Sequence, residues 1–243
     1  MDTIIHNLQH VQARIDKACQ AAGRDSKEVK LLLATKTVTP ERIQQAFAAG
    51  YTLIAENKVQ ELKEKYEALK ATPHTNHFIG HLQTNKIKDI LKYDVSCVES
   101  LDRYDLAEKL HQKLSQVGRE MDVFIQVNTS GEESKFGVAP EEALALTQQV
   151  AQLPTLHIRG LMTIGLFSAE EDKVRKCFQL LKSIQQQIFA LNLPDVQPYE
   201  LSMGMSGDLE VAIAEGATIV RVGTAIFGER IYPDSYYWNE QKA

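Results

Sequence analysis

The sequence predicts an α/β fold, a single (β/α)8 TIM barrel with an extra N-terminal helix, and three observations carry that reading. Short apolar runs alternate eight times with longer amphipathic stretches, the pattern of successive strand–helix units around a parallel sheet. Several of those runs are nearly continuous aliphatic and β-branched residues, as strands buried on both faces require. The 243 residues are close to the roughly 250 that eight such units occupy. An open doubly wound sheet is disfavoured because no G-x-G-x-x-G follows the first strand.

In chain order, residues 1–22 place Ile4, Ile5, Leu8, Val11 and Ile15 at helical spacing, an amphipathic helix to be packed on the domain. The expected strands are 30–36, 52–55, 76–80, 94–99, 121–129, 157–164, 199–202 and 218–222. Thr39 before Pro40-Glu41-Arg42 starts one helix, and Ser100 or Asp102 starts another over 103–114. Gly50, Gly118 and Gly216 mark helix ends. Pro140, Pro154, Pro194 and Pro198 fall in connections, and no Pro/Gly/Ser-rich linker interrupts the repeat. The chain 1–243 therefore reads as one domain, with the barrel over 30–230 and a C-terminal tail over 231–243.

Composition narrows the function. A net charge of −5 with scattered Lys and Arg argues against a nucleic-acid surface. Cys19, Cys97 and Cys177 have neither disulfide-framework nor zinc spacing. His77 and His81 bracket a strand end without a third ligand spaced to join them, so no metal is expected. No apolar run reaches the roughly 20 residues of a membrane helix, which predicts a cytoplasmic protein with no membrane partner.

Chemistry in this fold sits at the C-terminal ends of the strands, with phosphate commonly held after strands 7 and 8. Lys36 ends the run VKLLLAT, so the barrel delivers an amine to that mouth with little water around it, a setting suited to Schiff-base formation. Taken alone it also fits a lysine reaching from a strand end into solvent. Ser206-Gly207-Asp208 opens a helix after strand 7, and Gly223-Thr224 opens another after strand 8. Two helix starts, two hydroxyls and two glycines on consecutive units suit a phosphate. Arg221, two residues before Gly223, points into the mouth and needs a partner: a cofactor ring nitrogen, or a barrel carboxylate such as Glu56 or Glu200.

The motifs LLLATKT (31–37), AENKVQE (55–61), HFIGHLQTNK (77–86), QVNTSGEESKFG (126–137), IRGLMTIG (158–165), LSMGMSGD (201–208) and VRVGTAIFG (220–228) run through nearly the whole chain. With them the sequence resembles the pyridoxal phosphate homeostasis proteins, which are similar to the N-terminal barrel of alanine racemase. The resemblance implies pyridoxal 5'-phosphate (PLP) as cofactor, held as a Schiff base on Lys36. It also implies phosphate contacts from Ser206, Gly223 and Thr224, Arg221 facing the pyridine nitrogen, and Asn57 and Met203 lining the cofactor. The implied role is intracellular PLP homeostasis, with apo PLP-dependent enzymes as possible recipients. Two positions depart from the family pattern: Val38 stands where many members have a second lysine, putting a secondary PLP site in doubt, and Ala55 stands for a common glycine.

Two other functions compete. A PLP-dependent amino-acid racemase would need a second acid–base group over the ring, and only 15 residues follow Gly228, with Tyr232, Tyr236 and Tyr237 among them. A carrier, expected to be a monomer, needs none. A sugar-phosphate barrel enzyme would use strand-end carboxylates, for which Glu56, Glu99 and Glu200 are the candidates. The polar segment 130–137 reads as a flexible loop able to cover the mouth, with Lys135 on it read as a solvated charge ahead of the alternative that it receives or relays PLP.

Overall fold

The computed structural model describes residues 3–166 and 168–228. The expected C-terminal tail 231–243, with its tyrosines, lies outside the described residues, as do residues 1–2 of the first helix and 229–230 of the barrel segment.

Eight parallel strands close into a barrel in sequence order, the eighth pairing back onto the first. They are β1 (Lys30–Ala34), β2 (Leu53–Glu56), β3 (Thr75–Phe78), β4 (Cys97–Leu101), β5 (Met121–Gln126), β6 (Leu156–Met162), β7 (Glu200–Ser202) and β8 (Ile219–Val222). Around them lie α1 (Thr3–Ala21), α2 (Pro40–Ala48), α3 (Val59–Leu69), α4 (Ile87–Lys92), α5 (Tyr104–Val117), α6 (Ala143–Val150), α7 (Glu171–Ala190), α8 (Leu209–Ala214) and α9 (Thr224–Phe227). The TIM barrel with an added N-terminal helix is therefore observed.

Strand side chains alternate between two cores. Leu32, Ala55, Cys97, Phe124, Met162 and Ile219 fill the barrel interior. Leu31, Leu33, Ile54, Phe78, Val98 and Val220 face outward into the larger layer beneath the helices. The added helix α1 buries Ile4, Leu8, Val11 and Ile15. It spans from α2 to the last two units, with Asn7 Nδ2 donating to the Ile226 carbonyl at 2.9 Å and Arg24 Nη1 donating to the Ile213 and Ala217 carbonyls, each at 2.8 Å.

Several boundaries shift, each for a local reason. β1 stops at Ala34, because Val38 N–H closes a turn onto the Thr35 carbonyl at 3.0 Å, so Lys36 sits in that turn and not in the strand. β4 begins at Cys97, since Asp94 takes a left-handed φ of 53° and Val95 N–H closes onto the Ile90 carbonyl. Ser100 is still in β4 and Asp102 pairs with Arg103, so the start of α5 falls to extended Arg103 instead of either expected cap. Gly118 ends α5 in the left-handed region, as expected.

Candidate functional site

At the C-terminal ends of the strands lies a cavity of about 630 Å3, lined by Lys36, Asn57, Ser206, Arg221, Gly223 and Thr224. Six of the seven residues singled out from sequence thus converge on it. Met203 does not: β7 turns Ser202 into the barrel, so the next side chain points out, and Met203 is fully buried in the outer core. Met205, one alternation further on, lines the cavity in its place.

The anion side is built by the loops after β7 and β8. Thr224 Oγ1 donates to Ser206 Oγ at 3.1 Å, and Ala225 N–H approaches the same oxygen at 3.4 Å, so two hydroxyls and the start of α9 meet at one point. Arg14 of α1 braces this cup from behind, donating to the Ser206 carbonyl at 2.9 Å while gripping Glu210 at 2.7 and 2.9 Å. Gly223 is required by barrel closure: a Cβ there would come within 2.9 Å of the Ala34 carbonyl oxygen. Its glycine answers to strand β1 as much as to any ligand.

On the opposite wall Asn57 is seated by Gly80, where a Cβ would fall 1.8 Å from the Asn57 carbonyl oxygen, a position open only to glycine. Lys135 is not a solvated charge. Its ammonium donates to the Gly165 carbonyl at 2.7 Å, reaching across from the 130–137 loop. That loop is tied down by Gln126 Nε2 on the Phe136 carbonyl (3.1 Å) and by stacking of Phe136 on His81 at 4.0 Å between centroids.

Arg221 is 5% exposed and partners neither Glu56 nor Glu200. It donates to Ser202 Oγ at 2.9 Å and to the Thr163 carbonyl at 2.8 Å; among the described residues its Nε makes no hydrogen bond. Ser202 Oγ donates onward to Glu99 Oε2 at 2.5 Å, and His77 Nδ1 donates to Glu99 Oε1 at 2.6 Å. Burial alone would push the Glu99 carboxyl up, but His77, Arg221 and Ser202 outweigh it and hold it below the usual carboxylate range. Burial pulls Arg221 below its ordinary value, opposed by Glu99 and Asp208.

The strand-end carboxylates needed by a sugar-phosphate enzyme do not face the cavity. Glu56 turns outward to Lys65, Glu99 is sealed beneath Arg221, and Glu200 pairs with Lys30 at the opposite barrel end. Among the described residues Asp208 is the carboxylate in the lining; burial raises it despite the Met205 N–H that it accepts at 2.6 Å. Against it stand Lys36, Arg42, Lys135 and Arg221. A cavity with this balance suits an anionic ligand presenting a group for a primary amine.

Arg42 was missed in the sequence, although Pro40 at the start of α2 already put the first turn of that helix at the same barrel end. Its guanidinium donates to the Phe227 carbonyl at 2.6 Å and lies 6.0 Å from the Phe227 ring centroid. Glu99 shares the inward phase of Cys97 two residues earlier, a signal that was present but that says nothing of its partner on β7.

The family described as alanine racemase, N-terminal domain, matches residues 2–231. A pyridoxal phosphate homeostasis protein of Aquifex aeolicus is 44% identical over 228 residues, covering 93% of this chain and 97% of that one. Another, of Pseudomonas aeruginosa, is 44% identical over 233 residues, covering 96% and 98%. Among solved structures, PipY of Synechococcus elongatus with PLP bound superposes with a TM-score of 0.81 at 30% identity, covering 93% of this chain and all of that one. An alanine racemase of Clostridium difficile, 13% identical with a TM-score of 0.76, shares the fold over 58% of its own length and 96% of this chain. The chain belongs to the alanine racemase N-terminal-domain family, among the pyridoxal phosphate homeostasis proteins.

Proposed function

We propose that this chain binds PLP in the cavity at the strand ends, holds it as a Schiff base on Lys36, and acts in PLP homeostasis as a carrier rather than as a racemase. The observation that carries the reading is the convergence of the Lys36 amine, the Ser206–Thr224 hydroxyl pair and the Arg221 guanidinium on one cavity.

The residues present fit the group. Ser206, Thr224 and the first amides of α9 offer neutral donors to a phosphate, with Arg42 among the nearby cations. Arg221 keeps Nε available for a ring nitrogen while its other bonds fix the plane of the guanidinium. Asn57 contributes a polar side chain to the wall.

When bound, PLP supplies an aldehyde that condenses with a primary amine and a pyridine ring that can delocalise electrons. Lys36, which lines the cavity, would supply that amine, while Ser206, Thr224 and Arg221 would hold the phosphate and the ring. Arg221 keeps its proton at any ordinary pH, so it leaves a facing ring nitrogen unprotonated and the ring a weak electron sink. That supports retention over sustained turnover. A cytoplasmic monomer delivering PLP to apo-enzymes is the setting this reading implies.

The test is reduction with borohydride after incubation with PLP, followed by peptide mass analysis. The expected result is a pyridoxyl adduct on the peptide carrying Lys36 and none in Lys36→Ala. An adduct mapping to another lysine, or none at all, rejects the proposal.

A further inference from the structure

Lys36 lies two residues beyond the end of β1, where the strand ladder no longer holds the backbone. Thr35 N–H still donates to the Ala55 carbonyl at 3.0 Å and its carbonyl accepts from Val38 in the turn, and to these bonds one helix adds a hold on both neighbours of Lys36. The Thr35 carbonyl accepts from Lys65 Nζ at 2.7 Å, and Thr37 N–H donates to Glu61 Oε2 at 2.9 Å. Glu61 and Lys65 stand one turn apart on α3 and pair with each other at 3.0 Å. Lys65 also pairs with Glu56 at 2.7 Å, and Thr35 Oγ1 donates to the same Glu56 oxygen at 2.6 Å.

This cluster is an unusual thing to bury. Lys65 is 7% exposed and Glu56 1%, and lysine is almost never buried unless paired. Well-packed apolar residues commonly serve stability as well as a buried ion pair does. What apolar residues cannot supply is a donor for one backbone atom and an acceptor for another, on either side of a single residue. Thr37 is moreover held at a left-handed φ of 62°, which a β-branched residue resists. The Glu61 bond to its amide pins that turn.

On the reading that Lys36 carries PLP, on which this inference rests, we infer that Lys65 and Glu61 are positioning residues that clamp the backbone on both sides of Lys36 and set its amine toward the bound aldehyde. Neither lines the cavity at the strand ends, and both act through Thr35 and Thr37.

The test compares dissociation constants for two probes, PLP and pyridoxine 5'-phosphate, in wild type, Lys65→Met, Glu61→Ala and Glu61→Gln. Pyridoxine 5'-phosphate carries the same phosphate and ring but an alcohol in place of the aldehyde, so it does not condense with Lys36. A misplaced amine lowers the effective concentration of the reacting pair, so Lys65→Met and Glu61→Ala should bind PLP about ten-fold or more weakly. Both should bind pyridoxine 5'-phosphate within about two-fold of wild type, the error expected of sites that do not touch it. Glu61→Gln keeps a carbonyl acceptor for Thr37 and should recover most of the PLP affinity. If Lys65→Met does not fold, Glu61→Ala decides, since it leaves Lys65 and Glu56 as a one-to-one pair. Equal loss of both probes, or no loss of PLP affinity, overturns the clamp. Wild type that traps PLP on Lys36 alongside variants that are unchanged removes the clamp alone, whereas wild type that fails to trap PLP removes the underlying reading with it.

Discussion

Arg221 and Glu99 meet through a single hydroxyl: the guanidinium donates to Ser202 Oγ at 2.9 Å, and that hydroxyl donates to the Glu99 carboxylate at 2.5 Å. All three side chains are buried in the barrel, so the cation beneath the cavity mouth is also the counter-charge of a carboxylate with no access to water. Arg221→Gln should therefore destabilise the fold by about 1–3 kcal/mol, since it removes the donors to Ser202 Oγ and the Thr163 carbonyl and one of the charges facing Glu99, while His77 remains bonded to that carboxylate. Arg221→Gln/Glu99→Gln should recover part of that loss. Urea denaturation of the wild type, single and double variants checks it; a double variant no more stable than Arg221→Gln would separate the two charges.

The anion cup makes a separate prediction about affinity. Ser206→Ala should weaken PLP retention by about 1.5–3 kcal/mol, as expected for a hydrogen bond to a charged group. Ser206 and Thr224 bond to each other at 3.1 Å, so Ser206→Ala/Thr224→Ala should cost less than the sum of the two single variants. Fluorescence titration with PLP gives the three values, and strict additivity would show that the hydroxyls act at separate points.

The barrel and most of this cup were legible because both rest on local signals. Alternation along each strand and the glycines and hydroxyls at consecutive strand ends survive in the linear order of residues. Met203 marks where that legibility ends: a shift of one residue reverses which face a side chain takes, and β7 is only three residues long. The partner of Arg221 was out of reach for a different reason. Glu99 and Ser202 are 103 positions apart, and nothing local to either names the other. The clamp of Lys65 and Glu61 on the Lys36 turn, together with the bracing by Arg14 of α1, likewise exists only once helices are docked on the barrel.

That bracing yields its own expectation. Arg14 holds the Ser206 carbonyl and Glu210 from a partly exposed position, so its ion pair adds only about 0–1 kcal/mol to stability. Its effect should appear in the phosphate contact. Arg14→Ala is expected to weaken PLP binding several-fold while leaving pyridoxal, which lacks the phosphate, unchanged. Parallel titrations with the two ligands read the difference, and equal weakening of both would assign Arg14 to general packing.

The buried cluster below Lys36 holds two carboxyls and one ammonium, Glu56, Glu61 and Lys65, so one proton is retained to balance it. Burial, against the opposing pull of Lys65, pushes the Glu56 carboxyl up to about 8, which makes Glu56 the expected site of that proton; among the described residues its Oε2 has no hydrogen-bond partner. Glu61 moves the other way: its own burial is outweighed by bonds to Glu56, Lys65 and the Thr37 amide. An unfolded chain releases the Glu56 proton near 4.5. This group therefore favours the folded state fully below that value, and the contribution is lost as pH rises through about 8. Glu61 acts in a different window, losing its stabilising contribution only on acidification below the ordinary glutamate range. Glu56→Gln keeps a carbonyl for Lys65 and Thr35 and adds an amide in place of the proton. It should flatten the decline of stability between pH 5 and 9 and exceed wild type at the alkaline end by on the order of a few kcal/mol. Urea denaturation across that range, followed by circular dichroism, measures both curves; if they run parallel, the proton is not on Glu56.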